Sequence, residues 1–149
     1  LTSSAPADSA IVSLDVSRDG ARLLLYLSTP LGPRLAVAGI IRDQKNVPTA
    51  LGQLEYLPVA SNAPIDATWV DARTVATVSR GGEVAPVTLY EIGGPSATFG
   101  QVPDASTIVG GNGGADGLRV LRTSGEVLRP QGSSWVTTGL SARVLATKQ

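Results

Sequence analysis

The sequence of 149 residues contains no Cys, no His and no Met. Without Cys, the chain can form no disulfide and has no thiolate to bind a metal or attack a substrate. Without His, it lacks the most common general base and the most common metal ligand. The chain begins at Leu1 and shows no signal peptide, so we expect a fragment cut from a longer polypeptide.

The charged residues are few and balanced, with 12 basic and 12 acidic side chains and a formal net charge of zero. Ten of the basic residues are Arg, and the only lysines are Lys45 and Lys148. The charges stand singly, so no basic stripe can neutralise phosphates and we predict no nucleic-acid binding. No apolar run approaches the roughly 20 residues of a membrane-spanning helix. The hydrophobic fraction of 42% indicates a globular chain.

The sequence also lacks the motifs of the common hydrolases. The usual serine triad needs a His, and no Gly-x-Ser-x-Gly elbow is present. A Ser-x-x-Lys dyad is absent because Arg42 and Leu145 stand three residues before Lys45 and Lys148. We therefore predict that the protein is not an enzyme, and we assign no catalytic, cofactor-binding or metal-binding residue.

The most distinctive local feature is the glycine-rich run 110–117. It does not continue as Gly-Lys-Ser/Thr, as a phosphate-binding loop would. It also departs from the calcium-binding pattern Gly-Gly-x-Gly-x-Asp, because Ala115 stands where Asp is required. We predict a hairpin connection here. Calcium binding through acids such as Asp15 and Asp19 is an open alternative, since its oxygen ligands can come from loops.

β-Branched residues and turn residues dominate the chain, which predicts an all-β fold. Val12, Leu14 and Val16 alternate with polar residues, as in a strand with one buried apolar side. Asp19-Gly20 predicts the hairpin turn that follows, because both residues tolerate positive φ. Further strands are predicted over Ala21–Ser28, Arg34–Ile41, Gly52–Val59, Ile65–Val70, Thr74–Ser79, Pro86–Ile92, Ala97–Val102, Ser106–Val109, Leu118–Arg122, Glu126–Arg129, Trp135–Thr138 and Arg143–Thr147.

The strand pattern restarts twice along the chain. Residues 15–23 align with residues 67–75 at an offset of 52, and a third unit begins about 40 residues later. A repeated four-stranded meander favours a β-propeller-like partial ring of about three four-stranded blades. We place one propeller unit over 1–149, with approximate blades at 10–60, 61–104 and 105–149. Since propellers usually have about 4–8 blades, the ring either stays open or closes against another copy or a missing segment.

The chain has six aromatic residues, and their positions bear on ligand binding. Trp69 stands in an apolar run in mid-strand, so we predict that it is core. Trp135 follows Gly132-Ser133-Ser134, so we predict that it lies near a loop mouth. A module that senses a sugar or a cell-envelope ligand would gather aromatics and carboxylates at the central opening. So few aromatics make this alternative the weaker one.

The start of the chain carries a family resemblance. Ser17-Arg18-Asp19-Gly20 closes the first predicted hairpin, and it resembles the Ser-x-Asp-Gly repeat start of bacterial propellers. The whole chain resembles the C-terminal β-propeller region of the actinobacterial LpqB-type lipoproteins, which its Arg- and Ala-rich, Lys-poor composition suits. The second repeat departs from the motif, with Val70-Asp71-Ala72 in place of Arg18-Asp19-Gly20.

The resemblance implies an exported protein that is held outside the cytoplasmic membrane by an N-terminal lipid absent from this chain. It also implies a partner, the extracytoplasmic domain of the sensor histidine kinase MtrB of the MtrAB two-component system. We therefore expect a non-enzymatic interaction module that regulates the kinase and binds through loops on one rim, with its interface residues unassigned. A metal-dependent lactonase or hydrolase on a propeller scaffold is a further alternative, and the lack of His counts against it.

Overall fold

The computed structural model of the chain describes residues 8–59, 62–111 and 113–141. These residues form three antiparallel sheets, which we call blades 1, 2 and 3. Blade 1 contains β1 (Ala10–Val16), β2 (Arg22–Thr29), β3 (Gly32–Arg42), β4 (Pro48–Leu51) and β5 (Glu55–Leu57). Blade 2 contains β6 (Ala63–Trp69), β7 (Thr74–Arg80), β8 (Val84–Glu91) and β9 (Ser96–Pro103). Blade 3 contains β10 (Ala105–Val109), β11 (Arg119–Arg122), β12 (Glu126–Gln131) and β13 (Ser134–Ser141).

The strands β1, β6 and β10 are the inner strands of their blades and lie side by side. β6 contacts β1 on one side and β10 on the other. Hydrogen bonds join these strands directly, from Trp69 to Asp15 and from Ile108 to Asp66. The blades are therefore arranged around a common axis, and the structure confirms the predicted all-β partial propeller of three blades, with five strands in blade 1 and four in each of the others.

Two apolar cores lie between consecutive blades. Burying these side chains removes apolar surface from water, which is the main force that holds the blades together. The junction between blades 1 and 2 buries Leu24, Tyr26, Leu35, Val37, Leu57, Ala67, Trp69, Val75 and Tyr90. The junction between blades 2 and 3 buries Val70, Ala76, Val78, Ala85, Val87, Val102, Ala105, Ile108, Leu118, Val120 and Leu128.

The predicted strand Gly52–Val59 is longer than the strand that forms, since only β5 lies within it. The sequence analysis missed β4, which precedes Gly52, and β4 and β5 pair with different parts of β3. Leu54 lies between them and packs on Leu25 and Leu27, on the side of blade 1 that faces away from blade 2. Leu54 is buried there, so it shields this side of blade 1 from water.

The apolar side of β1 is not buried, contrary to the prediction. Val12, Leu14 and Val16 are 38%, 40% and 46% exposed, whereas Ser13 and Ser17 are buried. The polar side faces blade 2, where Ser13 Oγ donates to Asp66 Oδ1 at 2.5 Å. Alternation therefore predicted the strand correctly but assigned its buried side wrongly.

The repeat offset of 52 also needs correction within the inner strands. The first hairpin closes between Ser17 and Arg22, whereas the second closes between Val70 and Thr74 and is one residue shorter. Residues that follow the first turn correspond to residues 52 positions later, whereas residues that precede it correspond to residues 53 positions later. Asp15 therefore corresponds to Thr68 and not to Ala67.

The other predicted strands have counterparts in the described residues. Ala97–Val102 lies in β9, and Trp135–Thr138 lies in β13. The predicted strand Arg143–Thr147 lies outside the described residues. No α-helix occurs in the ranges that the structure describes, where the only helical segment is a single 3-10 turn, Gly114–Gly117.

Candidate binding groove at the propeller rim

A groove of about 700 Å³ opens where the three inner strands end. The β1–β2 turn, the β6–β7 turn and the start of the β10–β11 connection form its walls. This groove is therefore a candidate for the binding site that the sequence analysis predicts on one rim of the propeller. The sequence did not reveal that the glycine-rich run and the first two hairpin turns lie together, because about 40 to 50 residues separate each segment from the next and only the blade packing joins them.

The β1–β2 turn is held by its own side chains. Asp19 Oδ1 accepts hydrogen bonds from Ser17 Oγ at 2.7 Å and from the Ala21 N–H at 3.0 Å. These bonds, first the one from Ser17, lower the pKa of Asp19 below its ordinary value, because they favour the ionised carboxylate. The Arg22 N–H donates to Ser17 Oγ and completes the loop. The turn thus presents the exposed Arg18 side chain from a rigid base.

The β6–β7 turn repeats this arrangement in a simpler form. Asp71 Oδ1 accepts a hydrogen bond from the Arg73 N–H at 2.8 Å, as Asp19 does from Ala21. Both carboxylates therefore have the turn-forming role predicted for Asp19. Two such turns stand beside each other at the groove.

The absence of a side chain at Gly110 allows the start of the β10–β11 connection to lie close to the end of β6. A Cβ at this position would overlap the carbonyl oxygen of Trp69, so a larger residue would push β10 away from β6. The Gly110 N–H donates to Thr68 Oγ1 at 3.0 Å across the same contact. The prediction of a hairpin connection at 110–117 is confirmed, and the close approach at Gly110 is a role that the sequence analysis missed.

Trp69 forms the floor between the first two turns. Trp69 is 7% exposed, as predicted for a core residue, and the Arg22 guanidinium lies over its ring at 4.6 Å from the centroid. Arg22 also donates to the Ala72 carbonyl, which holds the guanidinium in place. Trp69 Nε1 donates to the Asp15 carbonyl at 3.1 Å. Because Arg22 covers the ring, Trp69 cannot act as a stacking platform for a sugar.

The open surface of the groove combines charged and apolar groups. Arg18, Asp19 and Asp71 are exposed at its mouth, and Val16 and Val109 contribute apolar patches. A surface with both signs of charge around exposed apolar side chains is suited to a polypeptide partner rather than to a phosphate or a small anion.

The remaining candidate residues lie away from the groove. Trp135 is half-buried; its ring contacts Phe99 edge-on and its Nε1 donates to the Phe99 carbonyl at 2.8 Å. Trp135 therefore joins blades 2 and 3 and is not at the groove mouth. Lys45 is exposed in the β3–β4 turn, and Lys148 lies outside the described residues.

The described residues contain no group of three or more acidic side chains placed to hold a metal ion. Asp15, named as a possible calcium ligand, instead accepts hydrogen bonds from Thr68 and from the Trp69 N–H, both at 2.9 Å. Within the same ranges, no helix has the length and hydrophobicity needed to cross a membrane.

The sequence over residues 1–142 matches the family model of the lipoprotein LpqB β-propeller domain. The chain belongs to this family. Membership confirms the predicted relationship to LpqB-type proteins, and it agrees with the three blades in the structure. As a lipoprotein family, it indicates an envelope-associated, extracytoplasmic location. Searches of curated proteins and of solved structures found no match.

Proposed function

We propose that this LpqB-family chain is a non-enzymatic interaction module, lipid-anchored at the actinobacterial cell membrane in its full-length form. Its partner is the extracytoplasmic domain of a sensor histidine kinase of the MtrAB type, whose signalling it regulates. The single observation that carries the interaction role is the rim groove, where two rigid turns and a glycine-rich connection from three blades form one surface.

The composition of the groove supports a protein partner. Its charged side chains sit on turns that are held by internal hydrogen bonds, so binding requires little loop ordering. Val16 and Val109 add exposed apolar surface, which a bound partner would remove from contact with water. The identity of the kinase is inferred from the family relationship, because the groove by itself indicates only the class of partner, a polypeptide.

The direct test is calorimetric or interferometric titration of this chain with the isolated extracytoplasmic domain of the kinase from the same organism. We expect saturable binding near micromolar strength, about −8 kcal/mol. The absence of binding by a demonstrably folded chain would refute the proposal that this region is sufficient for recognition of the kinase.

A pair of charge reversals locates the interface. Arg18→Glu changes an exposed side chain at the groove mouth, and we expect it to weaken binding about tenfold or more. Arg129→Glu makes the same change on β12, outside the groove, and we expect it to alter affinity by less than about twofold. Equal effects of both variants would show that the groove is not the interface.

A further inference from the structure

Arg22 is a cation in the rim groove that forms no ion pair within the residues that the structure describes. It is half-buried, and one of its guanidinium N–H groups donates to the Ala72 carbonyl, the single acceptor that the guanidinium has in the same ranges. The remaining N–H groups are open to solvent, since no side-chain nitrogen there is both buried and without an acceptor. A partly desolvated cation with unused donors favours an anionic group from a bound partner.

The Arg22 side chain is fixed at both ends. Its backbone N–H donates to Ser17 Oγ at 3.0 Å, and its carbonyl accepts the Ser17 N–H at 2.9 Å. Its guanidinium lies between the Trp69 ring and the Ala72 carbonyl, and Trp69 is held in turn by two hydrogen bonds to Asp15. A stacked guanidinium still presents donors in its own plane, where a carboxylate can accept two of them. Because the cation is already ordered, binding costs little side-chain entropy.

The carboxylates of the groove already have hydrogen-bond partners. Asp15 accepts two hydrogen bonds from β6, Asp19 accepts two within its own turn, and Asp71 accepts one within its own turn. Their negative charges nevertheless remain around the groove and repel a small free anion. An acidic side chain on a polypeptide can overcome this repulsion, because other residues of the same segment contact the exposed Val16 and Val109. The pattern therefore favours a carboxylate that a polypeptide carries over inorganic phosphate.

We propose that Arg22 anchors a glutamate or aspartate side chain of the partner. This inference rests on the proposed function in one respect, namely that the rim groove is the interaction surface. The carboxylate accepts two N–H groups from the edge of the guanidinium, while Trp69 and Ala72 hold the guanidinium in place. Arg22 thereby selects the segments that the groove accepts, because glutamine at the same place in the partner lacks the charge and one of the two acceptor oxygens.

The first test does not require the kinase, since it uses short peptides and side-chain NMR signals. Three peptides share one valine-rich sequence. One is capped at both ends with a central Glu, one is capped with a central Gln, and one has the central Gln and a free C-terminal carboxylate. We expect the Glu peptide to shift the Arg22 Nε–H and Trp69 Nε1–H signals saturably, with a dissociation constant of about 1 mM. The capped Gln peptide should bind at least about fivefold more weakly, and the Arg129 and Trp135 signals should stay in place.

Three results of this titration would overturn the proposal. Equal binding of the two capped peptides would show that the groove recognises backbone carbonyls and not a carboxylate. Binding of the uncapped Gln peptide as tightly as the Glu peptide would assign Arg22 to a chain terminus. An Arg22 signal that the Glu peptide leaves unmoved up to about 20 mM would show that no carboxylate binds there.

The second test separates the carboxylate site from the identity of the partner. Arg22→Lys keeps the charge but loses the planar fork, so we expect it to weaken binding of the kinase domain about fivefold or more. Arg129→Lys, at an exposed residue outside the groove, should change affinity less than about twofold, and the Trp135 signal reports that each variant is folded. Binding of the Glu peptide but not of the kinase domain would refute the kinase and support the carboxylate site. Kinase binding that Arg22→Lys leaves unchanged would refute the carboxylate site and leave the proposed function standing.

Discussion

Within the described residues, blade 2 has a neighbouring blade on both faces, whereas blade 1 has one on a single face. In blade 2, Asp66 accepts Ser13 Oγ from blade 1 and the Ile108 N–H from blade 3, so one carboxylate joins all three inner strands. In blade 1, the same repeat leaves Leu14 and Val16 exposed. The difference shows that, for the inner strands, the neighbouring blade and not the strand pattern decides which side chains are buried.

The sharpest way to test this comparison is to truncate equivalent residues. Ile108 is fully buried and Leu14 is its exposed counterpart. We expect Ile108→Ala to lower the free energy of unfolding by about 2–5 kcal/mol through lost burial and a cavity. Leu14→Ala should cost less than about 1 kcal/mol, because Leu14 is already largely exposed to solvent. Denaturant titration of both variants measures the contrast, and similar losses would show that blade 1 is packed on both faces.

Alkaline pH should weaken the junction between blades 1 and 2. Burial raises the pKa of Tyr26 to about 12, from about 10 in the unfolded chain. The folded state thus keeps a proton that the unfolded state loses above pH 10. The contribution of Tyr26 to stability is constant below about pH 10 and falls by about 1.4 kcal/mol per pH unit between about 10 and 12, roughly 3 kcal/mol in total.

The Tyr26→Phe variant supplies the control for this pH dependence. It removes the titrating hydroxyl and its hydrogen bond with Thr77, at a baseline cost of about 1 kcal/mol. We expect its stability to fall less steeply between pH 10 and 12 than that of the parent chain, as followed by urea unfolding. An unchanged slope would contradict the assignment to Tyr26.

The polar link through blade 2 is the next test. Asp66→Asn keeps the shape but replaces one acceptor oxygen by an NH2 group, which faces either Ser13 or the Ile108 N–H. We expect a loss of about 1–3 kcal/mol in unfolding free energy. Asp104→Asn, at an exposed carboxylate 3.5 Å from the half-buried Arg122, should cost less than about 1 kcal/mol. Equal losses would argue against a special role for Asp66.

The smallest expected effect concerns the groove floor. Arg22→Gln removes the cation that lies over the Trp69 ring. We expect a loss of about 0.5–1 kcal/mol in thermal unfolding and a rise in Trp69 exposure. Fluorescence quenching by acrylamide measures that exposure against the half-buried Trp135. Unchanged quenching would show that other contacts cover the ring.

The prediction of an all-β repeat succeeded because its evidence is local. Strands such as Thr74–Ser79 are β-branched and lie between turn residues, so their type follows from their own side chains. The turn at Asp19-Gly20 likewise depends on short-range hydrogen bonds. The buried side of β1 was mispredicted because Ser13 and Asp15 find partners in β6, more than 50 residues away.

The candidate groove likewise combines features that the local sequence predicts with features that it does not. Trp69 could be identified as a core residue from the apolar residues around it in the sequence. The position of the Arg22 guanidinium over its ring could not be predicted in this way. The need for glycine at Gly110 arises only where β10 meets the Trp69 carbonyl. Local composition and alternation thus determined the strand content, the repeat and the turn chemistry of this chain. The register between blades, the buried sides of the inner strands and the groove were decided only by tertiary packing, because each depends on contacts between residues far apart in sequence.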